Sequence, residues 1–140
     1  MFKMKSLDHV VLRVANIDEC IDFYEQVLGC TMEKEHKDLG LYQLRAGDFI
    51  IDLMDVDSPV GREGGGPPPA SDGHNVDHFC IRIEPFDESQ LRSHFRKFDV
   101  DVSTLLNNWG GDGRGPSVYV RDPAGNKVEV KGPPTEPYVP

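Results

Sequence analysis

Hydrophobic and polar positions follow one order along this chain, and then follow it again. The segment LDHVVLRV, residues 7–14, alternates as a strand does, with His9, Val11 and Arg13 on one face and Val10, Leu12 and Val14 on the other. In ANIDECIDFYEQVLGC, Ile17, Cys20, Ile21, Tyr24, Val27 and Leu28 recur at helical spacing. Asn16 with Glu19 gives a capping-box signal, and Gly29 stands where that helix should stop. Strand-like runs over 31–36, 41–45 and 49–54 complete the pattern.

It restarts at VDHFCIRI, residues 76–83, where His78, Cys80 and Arg82 repeat the face of His9, Val11 and Arg13. In EPFDESQLRSHFRKFDV, Leu91, Phe95 and Phe98 mark one helical face, and Asp87 with Gln90 repeats the cap. Strands are expected over 100–105, 117–121 and 127–131, the last two joined by the turn-forming RDPAGN. The chain therefore predicts an α+β protein: strand, helix and three strands, twice over.

Two stretches break the pattern. DSPVGREGGGPPPASDGHN, with five glycines and four prolines, has no hydrophobic period and reads as a linker or mobile flap. NNWGGDGRGPS, which carries the single tryptophan, reads as a long hairpin loop or as a lid over a site.

Composition narrows the function. The 140 residues carry 24 acidic and 15 basic side chains, a formal charge of -9, without a cationic cluster. Such a surface repels phosphate backbones, which argues against nucleic-acid binding. No run approaches a membrane span and no signal-peptide pattern is present, so a soluble, cytoplasmic protein without a membrane partner is expected. Cys20, Cys30 and Cys80 show no metal-binding or redox spacing and are read as reduced thiols, with Cys80 buried on its strand. His36 and His94 read as surface groups, and His74 lies in the linker; Phe23, Tyr24, Phe95 and Phe98 read as core.

The repeat gives His9 and His78 equivalent positions, on the face opposite the aliphatic one that packs on the helix. Either alone would most simply be structural. Two related by a pseudo-two-fold are economically explained by a metal ion on the axis. The last strands, FIIDLM and NKVEVK, then align Asp52 with Glu129, each between apolar residues pointing the other way. An acid so placed must face a solvated or metal-lined cavity.

These segments, LDHVVLRV, IDFYEQVLG, IIDLM, VDHFCIRI and VRDPAGNKVEV, resemble the vicinal oxygen chelate superfamily over residues 6 to 132. That superfamily includes glyoxalase I, fosfomycin-resistance proteins, extradiol dioxygenases and metal-free bleomycin-resistance proteins. The resemblance implies one vicinal oxygen chelate domain over 1–140, built of βαβββ modules at 6–57 and 76–132, a linker at 58–75 and a tail at 133–140. Its sheets would form a cupped mixed sheet holding one divalent metal on His9, Asp52, His78 and Glu129. Asp52 departs from the glutamate or glutamine usual there and is one methylene shorter.

Imidazole and carboxylate ligands suit Ni, Zn, Co, Mn or Fe, with positions left open for two adjacent oxygens of a small-molecule substrate. The resemblance thus implies a glyoxalase-like lyase or isomerase in which Glu129 or Asp52 moves the proton. Glyoxalase I carries H-x-x-L-R, whose arginine contacts glutathione, and His9 to Arg13 reproduces that spacing. Arg13 would then bind substrate, or else pair with an acid. Alternatives are a metal-free binding protein, an Fe(II) dioxygenase and a fosfomycin-type thiol transferase. A homodimer is expected, its modules paired within a chain or exchanged between two.

Overall fold

The computed structural model describes all residues except 2, 4, 5, 65, 71, 72, 139 and 140, so parts of the expected linker and tail lie outside the described residues. The chain divides into two compact units, Met1–Asn75 and Val76–Pro140, each with its own sheet.

In the first unit, β1 (His9–Val14) leads to α1 (Ile17–Asp22), which continues as a wider π turn over Phe23–Val27. β2 (Thr31–His36), β3 (Leu41–Ala46) and β4 (Phe49–Asp55) follow, and the sheet order is β1-β4-β3-β2 with β1 parallel to β4. A parallel pair needs a crossover, and the helical segment supplies it. The aliphatic face is the buried one: Leu12, Val14, Leu44, Ile51 and Leu53 are sealed, together with Cys20, Phe23, Tyr24 and Val27. Fully burying one such side chain contributes about 1.5–3 kcal/mol.

The Asn16 side chain makes no capping hydrogen bond, against expectation. Its backbone lies at φ -109° and ψ 71°, away from the extended geometry of a capping residue, and only its carbonyl engages, accepting from the Cys20 N–H at 2.9 Å. Gly29, at φ +75°, ends the helical segment as the sequence indicates. The linker contains a short helix, α2 (Pro59–Glu63), which its Gly/Pro content concealed. Ser58 caps it by accepting from the Gly61 N–H at 2.9 Å, and Pro59 opens it.

The second unit repeats the order with β5 (Phe79–Arg82), α3 (Glu88–Lys97), β6 (Leu106–Gly110), β7 (Gly113–Arg121) and β8 (Lys127–Lys131). Its sheet runs β5-β8-β7-β6 with β5 parallel to β8, and a short β9 (Glu136–Pro137) also pairs with β7. Phe95, Val118, Val120, Val128 and Val130 are buried. Asp87 caps α3 as expected, accepting from the Gln90 N–H at 2.9 Å and from its side chain at 3.1 Å.

Two expectations fail in this unit. Residues 100–105 form no strand, because the Ser103 hydroxyl accepts the Tyr119 N–H at 2.8 Å and the Arg92 guanidinium takes the Ser103 carbonyl at 2.9 Å. The ladder instead uses the glycine-rich stretch, which is neither a long loop nor a lid: Trp109 pairs with Arg114 and Gly110 with Gly113. Its glycines serve close packing. At Gly113, φ is +129°, and a side chain would meet the Glu136 and Pro137 backbone of β9. Two side chains expected in the core lie outside it, Phe98 at 42% exposure and Cys80, which is exposed. Cys80 shares the polar face of β5, not the face that Val128 and Val130 seal. Among the described residues no helix is long and apolar enough to cross a membrane.

Candidate functional site

Strand register fixes where the polar side chains meet. In the first unit Val11, Asp52 and Gln43 are direct partners across β1, β4 and β3, and His9 lies two residues before Val11 on that face. Asp52 is 4% exposed between Ile51 and Leu53, which are sealed on the other side of the strand. Its Oδ1 is buried without a hydrogen-bond partner among the described residues. A buried carboxylate oxygen left in that state is costly, and a cation would offset the cost.

The Nδ1 of His9 lies 2.7 Å from Asp8 Oδ2. This hydrogen bond raises the imidazole pKa, burial opposes it, and the charge of Asp52 adds to it. Asp52 is thus within electrostatic reach of His9. Arg13 donates to the carbonyls of Gly61 at 3.2 Å, Gly66 at 3.4 Å and Pro67 at 3.5 Å. Among the described residues it forms no ion pair with an acid; its two amino groups hold the linker, and its Nε is buried without a hydrogen-bond partner.

In the second unit the groups close into a ring. His78, just ahead of β5, has its Nδ1 2.6 Å from Asp77 Oδ1 and its Nε2 3.3 Å from Glu129 Oε2. The Asn108 side-chain amide donates to Glu129 Oε1 at 3.1 Å and to the Tyr119 hydroxyl at 3.2 Å. The Tyr119 ring stands edge-on to His78 at 5.4 Å, and Lys127 Nζ lies 5.4 Å from its centroid. Lys127 then returns to Asp77 at 3.2 Å. Glu129 is 4% exposed, opposite Cys80 on β5 and Tyr119 on β7.

Electrostatics around Glu129 follow from that packing. Burial, then the nearby Glu129 charge, raises the Tyr119 pKa, so the phenol stays protonated and donates. The same two causes push the Cys80 thiol up to about 12, although the residue reaches the surface. A thiol so held is no nucleophile at neutral pH.

The repeated Asp-His is thereby explained within each unit. The aspartate holds Nδ1, so that Nε2 is the ring nitrogen left for another partner, an arrangement that fixes tautomer and ring orientation in metal-binding histidines. The structure brings His78 to Glu129 and sets His9 on the face of Asp52; among the described residues, no three His, Cys, Asp or Glu side chains gather closely enough to hold a metal. The donor types and the unpartnered Asp52 oxygen nevertheless fit a divalent ion.

The sequence reading passed over Asp8, Asp77, Tyr119 and Asn108. The aspartates stood in both copies of the repeat, and Tyr119 sits between buried valines just as Glu129 does. Asn108 lay hidden in the glycine-rich stretch. His36, read as a surface group, is half-buried and lies 3.1 Å from Gln43 Oε1.

Known proteins share this architecture. A virulence protein of Salmonella typhimurium, STM3117, is 29% identical over 128 residues, which cover 89% of this chain and 81% of that protein. The structure of an integron cassette protein from the mobile metagenome of V. cholerae superposes with a TM-score of 0.71 at 28% identity, covering 94% of this chain and 98% of the other. Lactoylglutathione lyase from Agrobacterium tumefaciens superposes with a TM-score of 0.65 at 24% identity over 92% of this chain and 94% of its own, a likeness of fold alone. The family model for the Glyoxalase/Bleomycin resistance protein/Dioxygenase superfamily matches residues 6–130, and the chain belongs to that superfamily.

Proposed function

We propose that this protein is a metal-dependent lyase or isomerase of the glyoxalase type, acting on a small substrate with two neighbouring oxygens. One observation carries the reading: each unit places an aspartate-held histidine on the same strand face as a carboxylate enclosed by apolar neighbours. His9, Asp52, His78 and Glu129 would hold one divalent ion of the Ni, Zn, Co, Mn or Fe type. When bound, such an ion would polarise the two substrate oxygens and acidify the adjacent C–H bond.

The chain's own groups supply the rest. Glu129 is suited to moving the proton, since Asn108 occupies Oε1 and leaves Oε2 facing His78. Tyr119, held protonated, donates a hydrogen bond where negative charge develops. Asp8 and Asp77 hold the imidazoles so that Nε2 remains the donor atom. Arg13 donates to the linker carbonyls through its two amino groups, which supports a role in holding the linker beside the substrate contact that H-x-x-L-R implies, toward which its Nε, unpartnered among the described residues, is the available donor. The functional unit is proposed to be a homodimer in the cytoplasm.

The test is turnover of methylglyoxal with glutathione after Ni, Co, Zn or Mn is restored to chelator-treated protein. The reading expects activity with at least one metal, lost by about 100-fold or more in Glu129→Gln. No turnover with any of them would remove glyoxalase chemistry. Failure to bind metal at all would leave a binding protein that sequesters its ligand.

A further inference from the structure

Beyond His78 and Glu129, the same face of the second unit carries a buried cation, Lys131, that forms no ion pair among the described residues. Lys131 follows Glu129 by two residues on β8, so the two point the same way, about 7 Å apart along the strand. Lys131 is only 4% exposed, and among the described residues no carboxylate lies within ion-pair distance of its ammonium. Its neighbours on either side are Ser117 on β7 and Arg82 on β5. Arg82 is already paired with Asp112. Ser117 is fully buried, and its hydroxyl has no hydrogen-bond partner among the described residues.

The glycine-rich stretch makes room for this lysine. A side chain at Gly110 would begin 3.0 Å from Lys131 Cε and 3.2 Å from Cδ, and one at Gly115 would begin 3.1 Å from Nζ. Both glycines therefore leave a slot in which the stem lies. Enclosing an ammonium beside an unsatisfied hydroxyl is unfavourable in the unliganded protein. A negatively charged group set between them relieves both costs at once.

We propose that Lys131 and Ser117 form an oxyanion subsite for a carboxylate of the substrate, separate from the two oxygens that the proposed metal would chelate. That placement relative to chelated oxygens rests on the function proposed above; the subsite itself rests on Lys131, Ser117 and the two glycines. One positive charge matches one carboxylate group, so the second carboxylate of a diacid would lie outside the subsite. A dianionic phosphonate would leave a charge unbalanced on a face where Glu129 is already negative. The separation from Glu129 puts this carboxylate several bonds from the reacting carbon, where its binding serves orientation and specificity.

Two titrations separate this inference from the metal reading. In metal-free protein, calorimetry and the amide signals of Gly110, Gly115 and Ser117 should report saturable binding of glutarate and none of the uncharged glutaramide. Methylphosphonate should bind more weakly than glutarate. Lys131→Met should weaken glutarate at least tenfold, Lys131→Arg should restore part of the loss, and Ser117→Ala should weaken it severalfold, with folding confirmed by circular dichroism. In cobalt-loaded protein, 2-oxoglutarate should bind at least tenfold tighter than 2-oxopentanoate, and Lys131→Met should erase the difference. Equal binding of glutarate and glutaramide, or a folded Lys131→Met that binds glutarate as the wild type does, would overturn the subsite. Absence of cobalt binding would overturn the metal reading alone, with the metal-free titration still deciding the subsite.

Discussion

Asp52→Asn separates ligation from structural support, because the two roles predict opposite changes. The carboxylate is 4% exposed, and its Oδ1 has no partner among the described residues. An unsatisfied buried polar atom costs about 1–3 kcal/mol, and more when it is charged. Asparagine keeps the shape and removes the charge, so metal-free protein should lose no stability and gain up to about 1 kcal/mol, or about 4 °C in melting temperature. Metal affinity should fall at least ~10-fold, about 1.4 kcal/mol, because a neutral amide oxygen replaces an anionic one. Thermal unfolding in excess chelator reads the first quantity, and competition against a chromophoric chelator reads the second. A variant that melts several degrees lower in chelator yet binds metal as tightly as the wild type would refute ligation and make Asp52 a structural residue.

Other consequences are as direct. Cys80 is exposed, but its thiol is held up at about 12, so iodoacetamide at neutral pH should label it far more slowly than an ordinary exposed thiol, and Glu129→Gln should accelerate labelling; rapid labelling of the wild type would contradict that environment. The Asp8 hydrogen bond, opposed by burial and aided by Asp52, holds His9 above its ordinary 6.5 in metal-free protein. The stabilisation from this pairing is full below that value and lost as pH rises through the raised one. Asp8→Asn should bring the NMR titration midpoint of His9 back down, and an unchanged midpoint would discount the pairing. Gly113→Ala, at φ +129° against the β9 backbone, should cost more than about 1 kcal/mol and expose the C-terminal segment to protease.

Much of the fold was legible because alternation and helical spacing are local. Leu12, Val14, Ile51 and Leu53 had to be buried for the first sheet to have a core, and they are. The parallel pairing of β1 with β4 and of β5 with β8 follows from a strand–helix–strand order. What escaped depended on contacts distant in sequence. Residues 100–105 form no strand: the Ser103 N–H donates to the Tyr119 carbonyl, but the returning Tyr119 N–H goes to the Ser103 hydroxyl and not to its carbonyl. Gly113 and Gly115 looked like loop residues because nothing local shows that the 133–137 backbone crosses them.

The site was legible in part for the same reason. The repeat itself singled out His9, Asp52, His78 and Glu129, since equivalent positions in two copies carry more information than one. The Asp-His dipeptide also repeats, yet the role of the aspartate emerges only once both Nδ1 contacts are seen. Tyr119 was visible as a polar residue between valines; its link to Glu129 through Asn108 needed the register of β6, which the glycines obscured.

Metal content is the most direct measurement of the central claim. Protein purified without added chelator, and the same protein after reconstitution with Ni, Zn, Co, Mn or Fe, should hold one divalent ion per site by elemental analysis, and His78→Ala should lose it while keeping its circular dichroism spectrum. Wild-type protein that takes up no stoichiometric metal under any of these conditions, or a folded His78→Ala that retains it, would contradict the account.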